Sequence, residues 1–110
     1  MTTVTVTKVK EKIKSIECDG HTGYGVEGED IVCAALSSIV QTAALGVLSV
    51  AGVNADYQIN EAKGWLKLTL PSNMTETQAH DCDVILNTLL LGVVDLYESF
   101  SDFVELEVRK

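Results

Sequence analysis

Basic residues are scarce in this chain: eight lysines and arginines stand against 16 aspartates and glutamates, a formal net charge of -8 over 110 residues. That balance argues against nucleic acid as a direct ligand, because phosphate contacts need cations. It suits a basic partner, and it is also what keeps an ordinary acidic domain soluble. Proline occurs once and no low-complexity run is present. An apolar leader is missing as well: Met1 to Lys14 alternates threonine with valine and then turns basic, so no signal peptide is expected. The longest apolar stretch, Ile31 to Val53, is broken by Ser, Gln, Thr and Gly, and it reads as a buried helix, not a membrane span. Cysteines number three, and none is spaced to pair with another, so a reduced, cytoplasmic setting is expected.

What is present is one domain, 1–110, large enough for a single core. Thr3 to Val9 alternates as a strand with Val4 and Val6 on one face. Lys10-Glu11-Lys12 is a polar turn, and Ile13 to Asp19 is a second strand that completes a hairpin. Ile16 and Cys18 share a face there, whereas Ile13 falls off the phase. A helix is expected from Ile31 to Ala51, with Asp30 as its N-cap and Gly52 as its stop. Its core stripe is Val32, Leu36, Ile39, Ala43, Val47 and Val50.

Asn54 to Asn60 and Trp65 to Leu70 follow as strands around a turn at Glu61-Ala62-Lys63-Gly64. A second helix starts near Thr75, which has capping-box spacing to Gln78. It offers Cys82, Ile85 or Leu86, Leu89, Val93, Leu96 and Phe100 to the core, and Val104 to Val108 alternates as a last strand. The order ββαββαβ implies an α+β fold: a two-layer α/β sandwich with a mostly antiparallel sheet and both helices on one face.

The chemistry concentrates between Gly20 and Ala35. His21 and Cys33 stand at either end of a glycine-rich loop, with Cys33 expected in the first turn of the helix. A thiol there feels the positive end of the helix dipole, and an imidazole brought beside it supplies a base. Gly23, Gly25 and Gly28 formally spell a dinucleotide fingerprint, but Glu29 and Asp30 put negative charge where a pyrophosphate would sit. The glycines read better as hinges of a mobile loop.

Cys18 and Cys82 lie on core phases and read as small hydrophobes, while Cys33 falls one residue off the apolar phase, in line with Ser37 and Gln41. His80 reads as a surface residue. Cys18, His21 and Cys33 have a weak zinc-like spacing without a second cysteine pair, so no metal and no cofactor are expected. From the residues alone, both an inert and a reactive Cys33 stay open.

Gly20-His21, the glycine-rich loop and the run Gly28-Glu29-Asp30-Ile31-Val32-Cys33-Ala34-Ala35-Leu36-Ser37 resemble the signature of the bacterial ribosomal-processing cysteine proteases. The likeness extends through the paired N-terminal strands, Gln41-Thr42-Ala43 and Leu89-Leu90-Leu91-Gly92; Thr22 stands where small residues such as Ala are frequent. The resemblance implies an endopeptidase that removes the N-terminal extension of a large-subunit ribosomal protein (number twenty-seven), cutting after an aromatic residue. It carries a Cys-His dyad onto Cys33 and His21, makes Gly20, Asp30 and Ser37 substrate-binding or supporting positions, and suggests a homodimer. A non-enzymatic ribosome-associated adaptor and a thiol redox sensor are the alternatives.

Overall fold

Strand β1 (Thr2–Val9) and strand β2 (Lys12–Asp19) form the expected hairpin, with Val4 opposite Cys18 and Val6 opposite Ile16. The two residues between them, Lys10 and Glu11, both have positive φ, at 54° and 67°. Two-residue hairpin turns favour that backbone because it matches strand twist, but it is costly for residues bearing a Cβ. The register slips between Thr7 and Lys8, so Thr7 pairs with Ser15 and Lys8 with Ile13. This bulge leaves Lys14 as the extra residue and brings Ile13 back onto the buried face, which explains its apparent phase error.

The computed structural model describes residues 1–20 and 29–110, with backbone alone for Glu29 and Asp30. Helix α1 (Glu29–Leu45) continues into a π-helical turn, Gly46–Val50. The helix therefore begins two residues earlier than expected. Asp30 lies inside its first turn instead of capping it, and Cys33 is its fifth residue, at the start of the second turn. At the far end the Ala51 N–H donates to the Gly46 carbonyl at 2.8 Å, a ring one residue wider than an α-turn. That extra residue rotates the stripe: Val47 stays buried, but Val50 turns outward and is 84% exposed, against the sequence expectation. Gly52, at φ 66°, ends the segment as expected.

Strand β3 (Asp56–Asn60), a 3₁₀ turn (Glu61–Lys63) and strand β4 (Trp65–Thr69) follow. Asn60 caps the turn by accepting from the Lys63 N–H, and Gly64 leaves it in the left-handed region. Helix α2 (Glu76–Ser99) starts with the full capping box, the Thr75 side chain accepting from the Gln78 N–H and the Gln78 side chain from the Thr75 N–H. Cys82, Leu86, Leu89 and Val93 are buried on it. Phe100, expected in that stripe, instead forms the C-cap, where the chain leaves the helix and the ring is 42% exposed. Strand β5 (Val104–Arg109) closes the sheet.

The sheet order is β3-β4-β2-β1-β5, with every pairing antiparallel except β1 with β5. Its inward face (Val4, Val6, Ile16, Cys18, Leu66 and Leu68) joins Val32, Leu36, Val40 and Val47 of the first helical segment and the buried stripe of α2 in one core. This is the α+β two-layer sandwich that the element order implied. Ile31–Val50 has a mean hydropathy of 2.0 and is long enough to cross a membrane. One face of that segment packs into the protein core, through Val32, Leu36, Val40, Ala43, Ala44 and Val47. Replacing Lys10→Asn together with Glu11→Gly removes the Cβ strain of the hairpin turn and is expected to raise stability by about 1 kcal/mol. Urea unfolding of the double variant against the parent checks this; an unchanged midpoint would show that the turn stores no strain.

Candidate active site

Helix α1 buries Val32 and Leu36 against the sheet, so the residues one step around, Cys33 and Ser37, emerge at the edge of the contact. They and Gln41, successive at i+4, line one side of an open cavity of about 300 Å³. Thr2 of β1, Cys18 of β2 and Gly20 form its inner wall, and the corner between β3 and β4 forms the opposite one with Ile59, Glu61 and Trp65. Among the described residues the cavity thus offers two thiols, the polar side chains of Thr2, Ser37 and Gln41, an apolar wall and one carboxylate.

All three cysteines are free thiols. Cys18 is buried, and burial, with smaller repulsions from Cys33 and Glu17, pushes its thiol up to about 12. Burial and then Asp81 also raise the thiol of Cys82. Cys33 is half-buried and faces the cavity, and its sulfur lies 3.6 Å from Thr2 Oγ1. Of the three it is the one a substrate could reach.

The other expected site residues divide by position. Gly20 and Ser37 line the cavity with Cys33. Gly20 has φ 133°, and a Cβ on it would run into the Met1 carbonyl oxygen, so only glycine fits where the chain passes β1. His21, Gly23, Gly25 and Gly28 lie outside the described residues, as does the Asp30 side chain. His80 is exposed beside Asp81, its Nδ1 3.2 Å from the carboxylate, away from the cavity. Among the described residues no three His, Cys, Asp or Glu side chains gather as a metal site.

Sequence reasoning missed Thr2, Ile59, Glu61 and Trp65, and read Cys18 as core without its cavity face. Thr2 carried a usable signal, because it continues the inward phase of Val4 and Val6 by one step. The β3–β4 corner carried none, since only tertiary packing brings it opposite α1.

An accessible thiol near a helix start, opening onto a cleft bounded by a sheet edge, defines a thiol-hydrolase type of site on a two-layer α+β scaffold. The chain matches the family described as Cysteine protease Prp over residues 1–105 and belongs to that family of ribosomal-processing cysteine proteases. It is similar to the ribosomal processing cysteine protease Prp of Staphylococcus aureus, 24% identical over 110 residues, covering 99% of this chain and 100% of that one. The Prp of Bacillus subtilis is 22% identical over 90 residues, covering 82% and 80% of the two chains. Among solved structures, SMU.848 from Streptococcus mutans superposes with a TM-score of 0.87 at 29% identity, covering 99% of this chain and 94% of that one. The S. aureus Prp in complex with a substrate peptide also superposes at 0.87, with 23% identity and coverage of 99% and 100%, a likeness of fold.

Gly20→Ala is expected to cost about 1–3 kcal/mol, because strain and the clash with Met1 add. Gly52→Ala has the same kind of φ but meets nothing within 4 Å, so it should cost less in parallel denaturation curves. Equal losses would mean that the Met1 contact imposes no constraint.

Proposed function

We propose that this protein is a cysteine endopeptidase that removes the N-terminal extension of a large-subunit ribosomal protein, number twenty-seven, by cutting after an aromatic residue. The observation that carries this is the position of Cys33, a half-buried free thiol facing a cavity in a chain that matches the cysteine protease family over residues 1–105. The S. aureus relative has been solved both with a substrate peptide and with a covalently linked product peptide, which supports a covalent route for this chain too.

In that route His21 takes the proton of Cys33 Sγ, and the thiolate attacks the scissile carbonyl carbon. As the tetrahedral adduct collapses, the C–N bond breaks and the protonated His21 returns the proton to the leaving amine. Water, deprotonated by His21, then hydrolyses the thioester and frees the acid and the thiol. Backbone N–H groups of the first turn of α1, which have no acceptor within the helix, serve as donors to the oxyanion in this route. Ile59 and Leu66 supply apolar wall for the aromatic side chain, and Ser37 and Gln41 supply hydrogen bonds to the peptide. Glu61 and the net charge of -8 favour a basic substrate. The enzyme works in the cytoplasm as a homodimer, without a metal or cofactor.

Cys33→Ala should abolish cleavage of a peptide spanning the extension, and His21→Ala should slow it by about 10²–10⁴-fold. Mass spectrometry of the products reads both. Full cleavage by Cys33→Ala would remove the assignment, and a fully active His21→Ala would remove the base. The specificity constant for the intact basic precursor should also fall as salt rises. A flat dependence would exclude electrostatic recruitment.

A further inference from the structure

The inward phase of β1 reads Thr2, Val4, Val6, and at its first position a valine would satisfy the core equally well. The chain instead buries a hydroxyl there, in a side chain only 4% exposed. A hydroxyl taken from water costs free energy unless it is partnered. The backbone of Thr2 is held separately, its N–H donating to the Phe103 carbonyl at 2.9 Å. Among the described residues its Oγ1 has two hydrogen-bonding neighbours: the Gly20 carbonyl at 3.5 Å and Cys33 Sγ at 3.6 Å. The first is long for a bond between two oxygens, so the hydroxyl proton is held weakly there. The second is within reach of sulfur, with its larger radius.

A hydroxyl has one proton to give and lone pairs to accept with. While Cys33 is neutral, S–H can donate to Oγ1 and O–H to the Gly20 carbonyl. A thiolate has no proton, so once Cys33 ionises the hydroxyl must be the donor in the pair. A donor that bonds the charged form favours it over the neutral one. We propose that Thr2 is a positioning residue for the Cys33 thiolate, its hydroxyl turning from the Gly20 carbonyl to the sulfur and fixing the ion at the cavity wall. This rests on Cys33 being the nucleophile.

The titratable groups that share the cavity wall, among the described residues, are Cys18 from β2 and Glu61 from the 3₁₀ turn. Burial pushes the Cys18 thiol up to about 12. Alkylation is read at Cys33 alone, so modification of Cys18 does not enter the profile.

The test follows the rate of iodoacetamide alkylation at Cys33, located by peptide mass mapping, from acid to alkaline pH. Thr2→Val keeps the side-chain shape and loses the hydroxyl; Thr2→Ser keeps the hydroxyl and loses the methyl. The midpoint of the alkylation profile should move up by about one pH unit in Thr2→Val and return close to the parent in Thr2→Ser. If circular dichroism shows that Thr2→Val does not fold, Thr2→Ala against Thr2→Ser makes the same comparison. Superimposed profiles for parent and hydroxyl-less variant would overturn the proposal, as would an equal shift in the serine variant, which would point to packing. Alkylation needs no peptide cleavage, so this result is separable from the proteolytic reading, which fails on its own terms if Cys33→Ala still cuts.

Discussion

The seating of α1 on the inward face of the sheet is the constraint on which the rest depends. Val32, Leu36 and Val40 are buried almost completely, and each methylene withdrawn from water contributes about 0.8 kcal/mol to holding that face down. Because successive helical residues are 100° apart, burying Val32 fixes Cys33 at the rim of the contact. Ser37 and Gln41 then follow it along the same line. Turning the helix by one residue would sink the thiol among valines and take it out of the cavity wall. The position of the thiol is thus a consequence of core packing, with no separate device needed to present it.

The sheet supplies the other half by the same logic. Antiparallel pairing of β2 with both β1 and β4 sets Cys18 opposite Val4 on one side and opposite Leu66 on the other. The inner wall of the cavity is therefore the end of three adjacent strands. On the opposite face Glu17 stands across from Lys67 and accepts from Trp65 Nε1 at 2.6 Å, which ties β2 to β4 beside the cavity mouth. A charge-assisted bond of that length resists splaying of the strands where Trp65 contributes to the wall. The bulge in β2 lies at the other end of the strand, so the register slip is spent away from the site.

The sequence made most of the architecture legible because two periodicities rarely conflict here. Leu66, Leu68 and Leu70 alternate with Trp65, Lys67 and Thr69, and Cys82, Leu86, Leu89 and Val93 recur at helical spacing; both patterns are buried as read. Two of the departures arise where a helix changes or ends. An α-helical period carries Val50 onto the core stripe, but the π turn adds a residue there, at Gly46, where a Cβ would lie 3.6 Å from Ile85. The same period carries Phe100 onto the stripe, but α2 ends at Ser99. Cys33 could be singled out because it sits one step off an apolar stripe and beside a histidine-bearing glycine run. Thr2 could not be tied to it, because the contact spans 31 positions and exists only after the strand and the helix have packed.

Two thiols share the cavity wall, yet their surroundings separate them. Cys18 pays a desolvation cost on ionising, and an ionised Cys33 raises that cost further, as the direction and causes of its shift show. Burial and the neighbouring sulfur therefore both disfavour the Cys18 thiolate. A buried, protonated Cys18 in the same wall therefore acts as apolar surface, which lowers the local dielectric and strengthens a donor that faces the Cys33 sulfur. Thr2 is the described side chain with a hydroxyl at that distance, so burial of one thiol and hydrogen bonding of the other converge on the same atom, Cys33 Sγ.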